Sequence, residues 1–190
     1  LGGFPLLQET FQVNFGFRPE YYMMVNYNGF KDVVNSIGGI DVTVSEELQD
    51  SCHFEPNGWC VIEPGEHHME GNTALWYARS RLTTSDFDRN RRAQEVVVAI
   101  FKKAVNLNML VKVPELYGLY REYVDTDIPL TKVLTLLPMA KPLMTTDNIR
   151  RFSVSNEMVT NWITYEGAWV LMPNYDAISD MLNEALYRNE

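Results

Sequence analysis

The chain has 190 residues, 46% of them hydrophobic and 22% charged, and carries a formal net charge of −9 at pH 7. This length can bury a sizeable core and suits one domain over residues 1–190. An acidic chain lacks the broad basic face that binds nucleic acid phosphates, so nucleic acid is not an expected partner. No run reaches the roughly 18 apolar residues of a membrane-spanning helix.

Hydrophobic periodicity predicts helices that alternate with short strands in the first half of the chain. Apolar positions 30, 33, 34 and 37 have the spacing of one helix face, and two glycines follow them as a helix end. The predicted elements are a helix over 6–16, a buried strand over 21–27, a helix over 29–39, a strand over 40–44 and an irregular loop over 45–68. This order indicates an α/β layered domain.

The second half continues with helices and two further strands. Asp88 is the predicted N-cap of a long helix. Because residues 96–101 are apolar almost all round, we expect that part of the helix to be buried. The predicted elements are a short helix over 71–81, the long helix from Asp88, helices over 114–124 and 129–141, strands over 148–154 and 168–172, and a closing amphipathic helix over 173–187.

Cys52 and Cys60 flank a loop in which a Pro-Asn-Gly run favours a turn. A disulfide that closes this loop is geometrically easy and indicates an oxidising compartment outside the cytoplasm. Two unrelated reduced thiols are the alternative. We favour the disulfide, because nothing else in the sequence of this loop would stabilise it. Zinc is not expected, because the spacing is not that of a CxxC motif and only His53, His67 and His68 supply imidazoles.

Five arginines lie within fourteen positions of this acidic chain: Arg79, Arg81, Arg89, Arg91 and Arg92. Arg79 and Arg81 would face the same way in an extended segment, and Arg89 and Arg92 share a face at the start of a helix. A helix start also offers backbone N–H groups and the positive end of the helix dipole. Two convergent pairs of guanidinium groups suit a diphosphate, whose oxygens accept forked hydrogen bonds.

A solvated, salt-bridged surface helix is the alternative interpretation of this cluster. Asp86 and Asp88 could hold Arg79 or Arg81 in place, or simply neutralise them. Two features favour anion binding. Core-like segments precede and follow the cluster, and all five charges are Arg although the chain has six Lys elsewhere.

Two further features have both a functional and a structural interpretation. His67 and His68 could act as a general base or a metal ligand, although such a pair is more often polar surface. The apolar face of the long helix could line a tunnel for a lipid, although such a face is more often core. We favour the structural interpretation of both.

Three segments together resemble the extracytoplasmic domain of the LytR-CpsA-Psr family. They are YYMMVNYNGFKDVVNSIGGIDVTV from residue 21, PGEHHMEGNTALWYARSR from residue 64 and DFDRNRRAQ from residue 86. The family pattern R-x-R…D-x-x-R falls on Arg79, Arg81, Asp86 and Arg89. The resemblance is closest over residues 21–100 and extends to the last strands and the closing helix.

The resemblance implies an α/β fold with a mixed central sheet flanked by helices in three layers (αβα). Members of the family are phosphotransferases of the bacterial envelope that attach polymers such as teichoic acid or capsule. They move a glycopolymer from a polyprenyl pyrophosphate lipid to peptidoglycan or a similar wall acceptor, with Mg²⁺ as cofactor. The matching residues are Arg79, Arg81 and Arg89 as a catalytic pyrophosphate clamp, Asp86 as the group that orients one of them, and Arg92 and Gln94 as further substrate contacts.

Two departures from the family pattern bear on this interpretation. The family usually has Gln four residues after the Arg that Arg89 matches; here Ala93 stands there and Gln94 follows it. The family's first strands, with the Asp and Arg residues that organise Mg²⁺, would precede Leu1, so no metal ligand is assigned. We therefore expect a domain that is incomplete at its N-terminus, completed by a missing segment or by a homodimer contact.

Three classes of function compete for this sequence. An envelope glycopolymer phosphotransferase fits best, and it implies an extracytoplasmic place at the membrane, through the lipid substrate and an anchor in the full-length protein. A non-catalytic module that binds polyprenyl phosphate or pyrophosphate is the alternative, favoured by Ala93 and by the absent metal residues. A DNA-binding regulator is disfavoured by the acidic composition, the disulfide and the lack of a basic helix-turn-helix.

Overall fold

The computed structural model describes residues 2–106, 123–145 and 149–187. The chain divides into two compact units, each of which is described by itself. The smaller unit combines Leu1–Glu20 with Arg151–Glu190, and the larger unit is Tyr21–Arg150. Within the described ranges, no helix has both the length and the apolar character that crossing a bilayer requires.

Six helices and eight strands lie within the described residues. The helices are α1 Gly3–Phe15, α2 Tyr27–Ser36, α3 Gly71–Arg79, α4 Asp86–Asn106, α5 Leu130–Thr145 and α6 Tyr175–Tyr187. The strands are β1 Met23–Val25, β2 Ile40–Val44, β3 Leu48–Ser51, β4 Trp59–Ile62, β5 Gly65–Met69, β6 Val124–Thr126, β7 Val159–Ile163 and β8 Trp169–Pro173.

The described strands pair two by two in antiparallel ladders. β1 pairs with β6, β2 with β5, β3 with β4 and β7 with β8, so small sheets stand where we expected one mixed central sheet. In β2 every second residue is buried, namely Ile40, Val42 and Val44. This alternation is typical of a ladder with one face on the core.

The core of the larger unit lies where β2, α2, α3 and α4 meet. Each element contributes one apolar face, as the spacing of positions 30, 33, 34 and 37 predicted for α2. The buried apolar side chains are Val34, Ile37, Ile40, Val42, Val44, Leu48, Cys52, Cys60, Ile62, Met69, Ala74, Trp76, Tyr77, Val96 and Ala99. This packing places the end of α3 against α4, and both helices carry arginines.

Gly71 allows α3 to begin directly against the backbone of α2. A Cβ atom on Gly71 would lie 2.4 Å from the carbonyl oxygen of Lys31, so a larger residue could not stand there without movement of α2. The Gly71 N–H donates to Asn35 Oδ1 at 2.8 Å, which satisfies a backbone donor at the start of α3. The close approach fixes Lys31 beside α3.

The predicted disulfide between Cys52 and Cys60 is present, and the two Cα atoms are 5.7 Å apart. It closes a hairpin in which β3 pairs with β4 and Asp50 lies opposite Cys60. The prediction of an irregular loop over 45–68 is therefore wrong, because that range contains β3, β4 and most of β5. The segments LQDS and WCVI are short and mixed in polarity, so cross-strand pairing rather than local pattern decides their structure.

In the smaller unit, glycines end the first helix and turn the β7–β8 hairpin. Gly16 adopts a left-handed conformation, with φ of 75°, and its N–H donates to the Gln12 carbonyl at 3.1 Å, as expected of a glycine after a helix. Gly167 turns the hairpin with φ of 80°. The strand predicted over 168–172 and the closing helix are confirmed as β8 and α6.

Two predicted segments differ in their burial. The strand predicted over 21–27 is only Met23–Val25, and all three side chains are exposed, since the ladder with β6 is its only pairing among the described strands. In α4, Val96 is buried but Val97 is 63% exposed. A helix packs on the core through one face, and the residue that follows a buried one points in a different direction. Val97 is therefore exposed although it is apolar.

Two predicted boundaries also differ. The long helix starts at Asp86 and not after Asp88, because Ser85 is its cap: the Asp88 N–H donates to Ser85 Oγ at 3.2 Å, and Asp88 Oδ2 accepts from the Ser85 N–H at 3.0 Å. The described part of the strand predicted over 148–154 is irregular. The helix predicted over 114–124 falls largely outside the described residues.

Removing the disulfide should destabilise the larger unit. Cys52→Ala combined with Cys60→Ala is expected to lower the free energy of unfolding by about 2–3 kcal/mol, because the unfolded chain regains the entropy of an open loop. Urea unfolding followed by circular dichroism measures this, with and without dithiothreitol. The reductant should destabilise the wild type and leave the double variant unchanged; equal midpoints for the oxidised wild type and the double variant would contradict the prediction.

Candidate anion-binding site

The predicted arginines lie at the junction between α3 and α4. Helix α3 ends at Arg79 because Ser80 is extended, with ψ of 141°. Such an end leaves backbone carbonyl groups without helical partners. Two charged side chains from other elements, Asp50 on β3 and Arg92 on α4, bond the backbone on the two sides of this break.

Arg92 bonds the carbonyl groups at the end of α3. Its Nε donates to the Tyr77 carbonyl at 2.9 Å, and its Nη2 donates to the Ser80 carbonyl and, at 3.0 Å, to Thr84 Oγ1. A cation is also favoured at this end of the helix dipole. Arg92 is only 2% exposed, and burial lowers the pKa of its guanidinium. Sequence spacing placed Arg92 on a surface shared with Arg89, whereas the structure places it in the interior.

The Arg92 guanidinium keeps one nitrogen outside these bonds. Its Nη1 is buried and has no hydrogen-bond partner among the described residues. The substrate contact predicted for Arg92 stays a prediction, since two of its three nitrogens already hold α3 against α4.

Asp50 bonds the backbone on the other side of the break. Its Oδ2 accepts the N–H of Arg81 at 2.8 Å and the N–H of Leu82 at 3.2 Å, and its Oδ1 accepts the N–H of Ser51 at 2.7 Å. Burial alone would raise the pKa of the Asp50 carboxyl, but these N–H groups outweigh burial, so the pKa lies below its ordinary value. The disulfide-linked hairpin thereby holds the segment that carries Arg81.

Asp86 brings two of the predicted clamp residues together. Its Oδ1 lies 2.8 Å from Arg81 Nε and 3.5 Å from Arg89 Nη1. The Arg81 side chain is 59% exposed and that of Arg89 is 35% exposed. Each guanidinium has five N–H donors, and one nitrogen of each faces Asp86. Two cations that share one carboxylate leave a net positive charge, with further donors for an incoming anion.

Arg79, the third predicted clamp residue, lies on an aromatic ring. Its guanidinium carbon is 4.0 Å from the centroid of the Tyr27 ring, within the range of a cation–π contact. Tyr27 is the first residue of α2, so this contact steadies an exposed arginine from a neighbouring helix.

Arg91 fits the salt-bridge interpretation. Its Nη2 lies 3.0 Å from Glu46 Oε1 and its Nη1 lies 2.9 Å from Glu95 Oε1. Glu95 also accepts the hydroxyl of Tyr77 at 2.8 Å. Burial opposes the charged form, but the carboxylate of Glu95 raises the pKa of Arg91 above its ordinary value. Arg91 therefore links α4 to neighbouring elements.

The remaining candidates lie on α4 and in the β2–β5 ladder. Ala93 and Gln94 are half-buried on α4. In the β2–β5 ladder, His68 Nδ1 is 2.6 Å from Asp41 Oδ1, and His67 Nε2 is 2.7 Å from the Glu63 carbonyl. The described residues contain no group of three or more His, Cys, Asp or Glu side chains that could bind a metal.

Sequence reasoning missed Asp50 and Tyr27. Asp50 lies 31 positions before Arg81, and Tyr27 lies more than fifty positions before Arg79, so no local spacing connects them. The only available signal for Asp50 was a lone acidic residue two positions before a cysteine, in a segment predicted to be irregular, and it is unspecific.

Helices around small antiparallel ladders, with exposed arginines at a helix junction, define an α/β domain suited to binding an anion. The chain belongs to the LytR-CpsA-Psr family, whose sequence profile (LytR_cpsA_psr) matches residues 1–186. The resemblance stated for residues 21–100 is thus confirmed and covers nearly the whole chain.

Two relatives illustrate the sequence match. The protein named regulatory protein MsrR, from Staphylococcus aureus (strain COL), is 34% identical over 132 residues, which cover 68% of this chain and 38% of MsrR. The protein named polyisoprenyl-teichoic acid–peptidoglycan teichoic acid transferase TagV, from Bacillus subtilis (strain 168), is 32% identical over 117 residues, 60% of this chain and 30% of TagV. The match spans less than half the length of either relative.

The crystal structure of B. subtilis TagV confirms the fold class. The superposition covers 100% of the present chain and 72% of the TagV chain, with a TM-score of 0.77 and 25% sequence identity. The α/β class expected from the sequence is therefore confirmed.

Neutralising Asp50 should change how stability depends on pH. Because the pKa of Asp50 is lower in the folded chain than its ordinary 3.8, its contribution is full above that value and is lost as pH falls through the folded pKa. Asp50→Asn is expected to lower the free energy of unfolding by about 1 kcal/mol at pH 7, and by less at pH 3.

Urea unfolding at the two pH values measures this difference. Asp32→Asn is the matched control, since Asp32 is an exposed carboxylate on α2, and it should leave stability unchanged at both. A loss in Asp50→Asn that is as large at pH 3 as at pH 7 would show that the carboxylate charge contributes nothing.

Proposed function

We propose that this chain carries the pyrophosphate-binding site of an enzyme that transfers a wall glycopolymer from a polyprenyl pyrophosphate carrier to peptidoglycan or a similar acceptor. The observation that carries the proposal is the pair of exposed Arg81 and half-buried Arg89, held by the single carboxylate of Asp86. The name of TagV, a transferase of teichoic acid from a polyisoprenyl carrier to peptidoglycan, supports it.

In such a transfer, an acceptor hydroxyl attacks the phosphorus that bears the glycan. A new O–P bond forms, the bridging O–P bond breaks, polyprenyl phosphate leaves with the electron pair, and the hydroxyl proton passes to solvent water. Negative charge grows on the leaving phosphate, and guanidinium groups already in place stabilise that charge without reorganisation. Arg81 and Arg89 would supply this stabilisation, Asp86 would keep their geometry, and Arg79 would bind a further phosphate oxygen from its place on Tyr27.

The family resemblance implies Mg²⁺, but the described residues do not by themselves fit a magnesium site. Such a site needs several oxygen ligands. Asp86 is the carboxylate nearest the clamp and already pairs with two arginines, and the described residues hold no acidic cluster for a metal. No step is therefore assigned to the ion, and Mg²⁺ dependence stays a prediction.

A non-catalytic module that binds polyprenyl phosphate or pyrophosphate is the second candidate. Ala93, where the family usually has Gln, favours it, because that position on α4 lacks a side chain that could bond the head group. Both candidate functions use the same arginine clamp. They differ only in whether the bound lipid is converted to product.

The place of the protein in the cell follows the proposed reaction. The Cys52–Cys60 disulfide is consistent with an oxidising compartment outside the cytoplasm. The lipid carrier would bring the chain to the membrane surface, and an anchor elsewhere in the full-length protein is part of the proposal. The single domain over residues 1–190 and its completion by a further segment or a second copy also stay predictions.

Removing a clamp arginine should weaken binding of a short-chain polyprenyl pyrophosphate. Arg81→Ala and Arg89→Ala are each expected to reduce affinity by about tenfold or more, because each removes hydrogen bonds to a charged group, worth roughly 1.5–3 kcal/mol. Isothermal titration calorimetry measures the affinity. Arg18→Ala, which removes an exposed arginine of the smaller unit, is the matched control and should bind like the wild type.

Equal affinity of Arg81→Ala and the wild type would contradict the assigned site. Titrations with and without Mg²⁺ test the cofactor, since tighter binding with the ion would support it. Incubation with a lipid-linked glycan and peptidoglycan then separates the two candidates. A phosphodiester product that the clamp variants fail to form supports the transferase, and clamp-dependent binding without product supports the module.

A further inference from the structure

A cavity of ≈ 370 Å³ lies between α2, the disulfide-linked hairpin and α3. Its volume falls within the range of roughly 300–1,000 Å³ that is typical of small-molecule sites. The lining residues that carry the argument are Lys31, Asp50, His53, Asn72, Trp76 and Arg79. Because Arg79 lines the cavity and lies two residues before Arg81, the cavity opens beside the proposed clamp.

Several hydrogen-bonding side chains in this cavity are unused. Among the described residues, Lys31, His53 and Asn72 make no side-chain hydrogen bond or ion pair, and the guanidinium of Arg79 lies over the Tyr27 ring. Lysine and arginine can only donate hydrogen bonds. The cavity therefore offers donors and positive charge to a ligand.

The carboxylate of Asp50 does not cancel this charge. Asp50 is the one acidic residue among the described residues that line the cavity. Its Oδ2 accepts two backbone N–H groups, and its Oδ1 accepts both the N–H and the hydroxyl of Ser51. Since hydrogen bonds stabilise this carboxylate where it is, the ammonium of Lys31 remains available to a ligand anion.

One wall of the cavity is aromatic and rigid. The indole Nε1 of Trp76 donates to the Ser51 carbonyl at 3.1 Å, which holds the ring against the hairpin. Phe54 lies in the connection between β3 and β4 and is exposed. Aromatic surface beside a few convergent polar groups is typical of sites that bind molecules with one apolar and one polar side, and a sugar ring has both.

We propose that this cavity binds a sugar that carries a carboxylate or a phosphate group. Lys31 takes the anionic group, Asn72 and His53 bond hydroxyl groups, and the exposed ring of Phe54 packs against the sugar ring. The inference rests on the proposed function, because the position beside the clamp makes this sugar either part of the wall acceptor or a unit of the transferred polymer.

Binding of simple sugars to the whole chain tests the proposal. The probes are N-acetylmuramic acid, which carries a carboxylate, glucose 6-phosphate, and neutral N-acetylglucosamine, each followed by two-dimensional NMR titration. At least one anionic sugar should bind about tenfold more tightly than the neutral one. Preference for the carboxylate indicates a wall glycan from which the stem peptide has been removed, since that peptide otherwise holds the carboxyl in a neutral amide. Preference for the phosphate indicates a unit of the polymer.

Variants locate the binding. Lys31→Gln should weaken binding of the preferred anionic sugar by about tenfold, whereas Lys102→Gln, at an exposed lysine of α4, should not. Asn72→Asp adds a negative charge to the cavity and should weaken anionic sugars more than the neutral one. Circular dichroism confirms that each variant is folded. Unchanged affinity in folded Lys31→Gln and Asn72→Asp, or equal binding of neutral and anionic sugars, would overturn the proposal.

Titration of the same proteins with polyprenyl pyrophosphate separates this proposal from the proposed function. If the wild type binds the anionic sugar through Lys31 but not the lipid, the sugar site stands and the pyrophosphate clamp fails. If it binds the lipid through Arg81 but no sugar, the clamp stands and the sugar site is overturned. Lys31→Gln should bind the lipid like the wild type, since Lys31 lies outside the clamp.

Discussion

Two charged side chains of opposite sign stabilise the break between α3 and α4, and the arginine site depends on them. Arg92 donates to the Tyr77 and Ser80 carbonyl groups on one side, and Asp50 accepts the N–H of Arg81 on the other. A buried peptide group without a partner is costly, so the backbone at this break cannot move without losing both sets of bonds. The backbone positions from which these side chains leave are therefore fixed.

The arginines of one short cluster have different environments, and so they do different things. Arg81 is exposed and Arg89 half-buried around Asp86, Arg91 pairs with Glu46 and Glu95, and Arg92 is buried. Anion binding and structural ion pairing looked like alternatives in the sequence. In the folded chain both apply, to different members of the cluster, because one face of α4 packs on α3 and the adjacent surface meets solvent.

Local patterns predicted those features whose causes are local. The helix α2 follows from apolar residues three and four apart, and the disulfide follows from two cysteines across a short turn. The hairpin of β3 and β4 was missed because its segments have no clear alternation, and the exposure of Val97 was missed because hydrophobicity alone does not say which face packs. The Asp50 contacts were missed because they join residues about thirty positions apart.

The sequence by itself determined the presence of the described helices, the disulfide, the family and the set of candidate arginines. These depend on spacing along the chain and on residue type, both of which are readable without coordinates. Only the tertiary structure decided that Arg92 lies inside, that Asp50 positions Arg81, and that Lys31, Asn72 and Arg79 line one cavity. Such relations arise when α2, the hairpin and α3 pack together, and packing brings residues close in space whatever their distance in sequence.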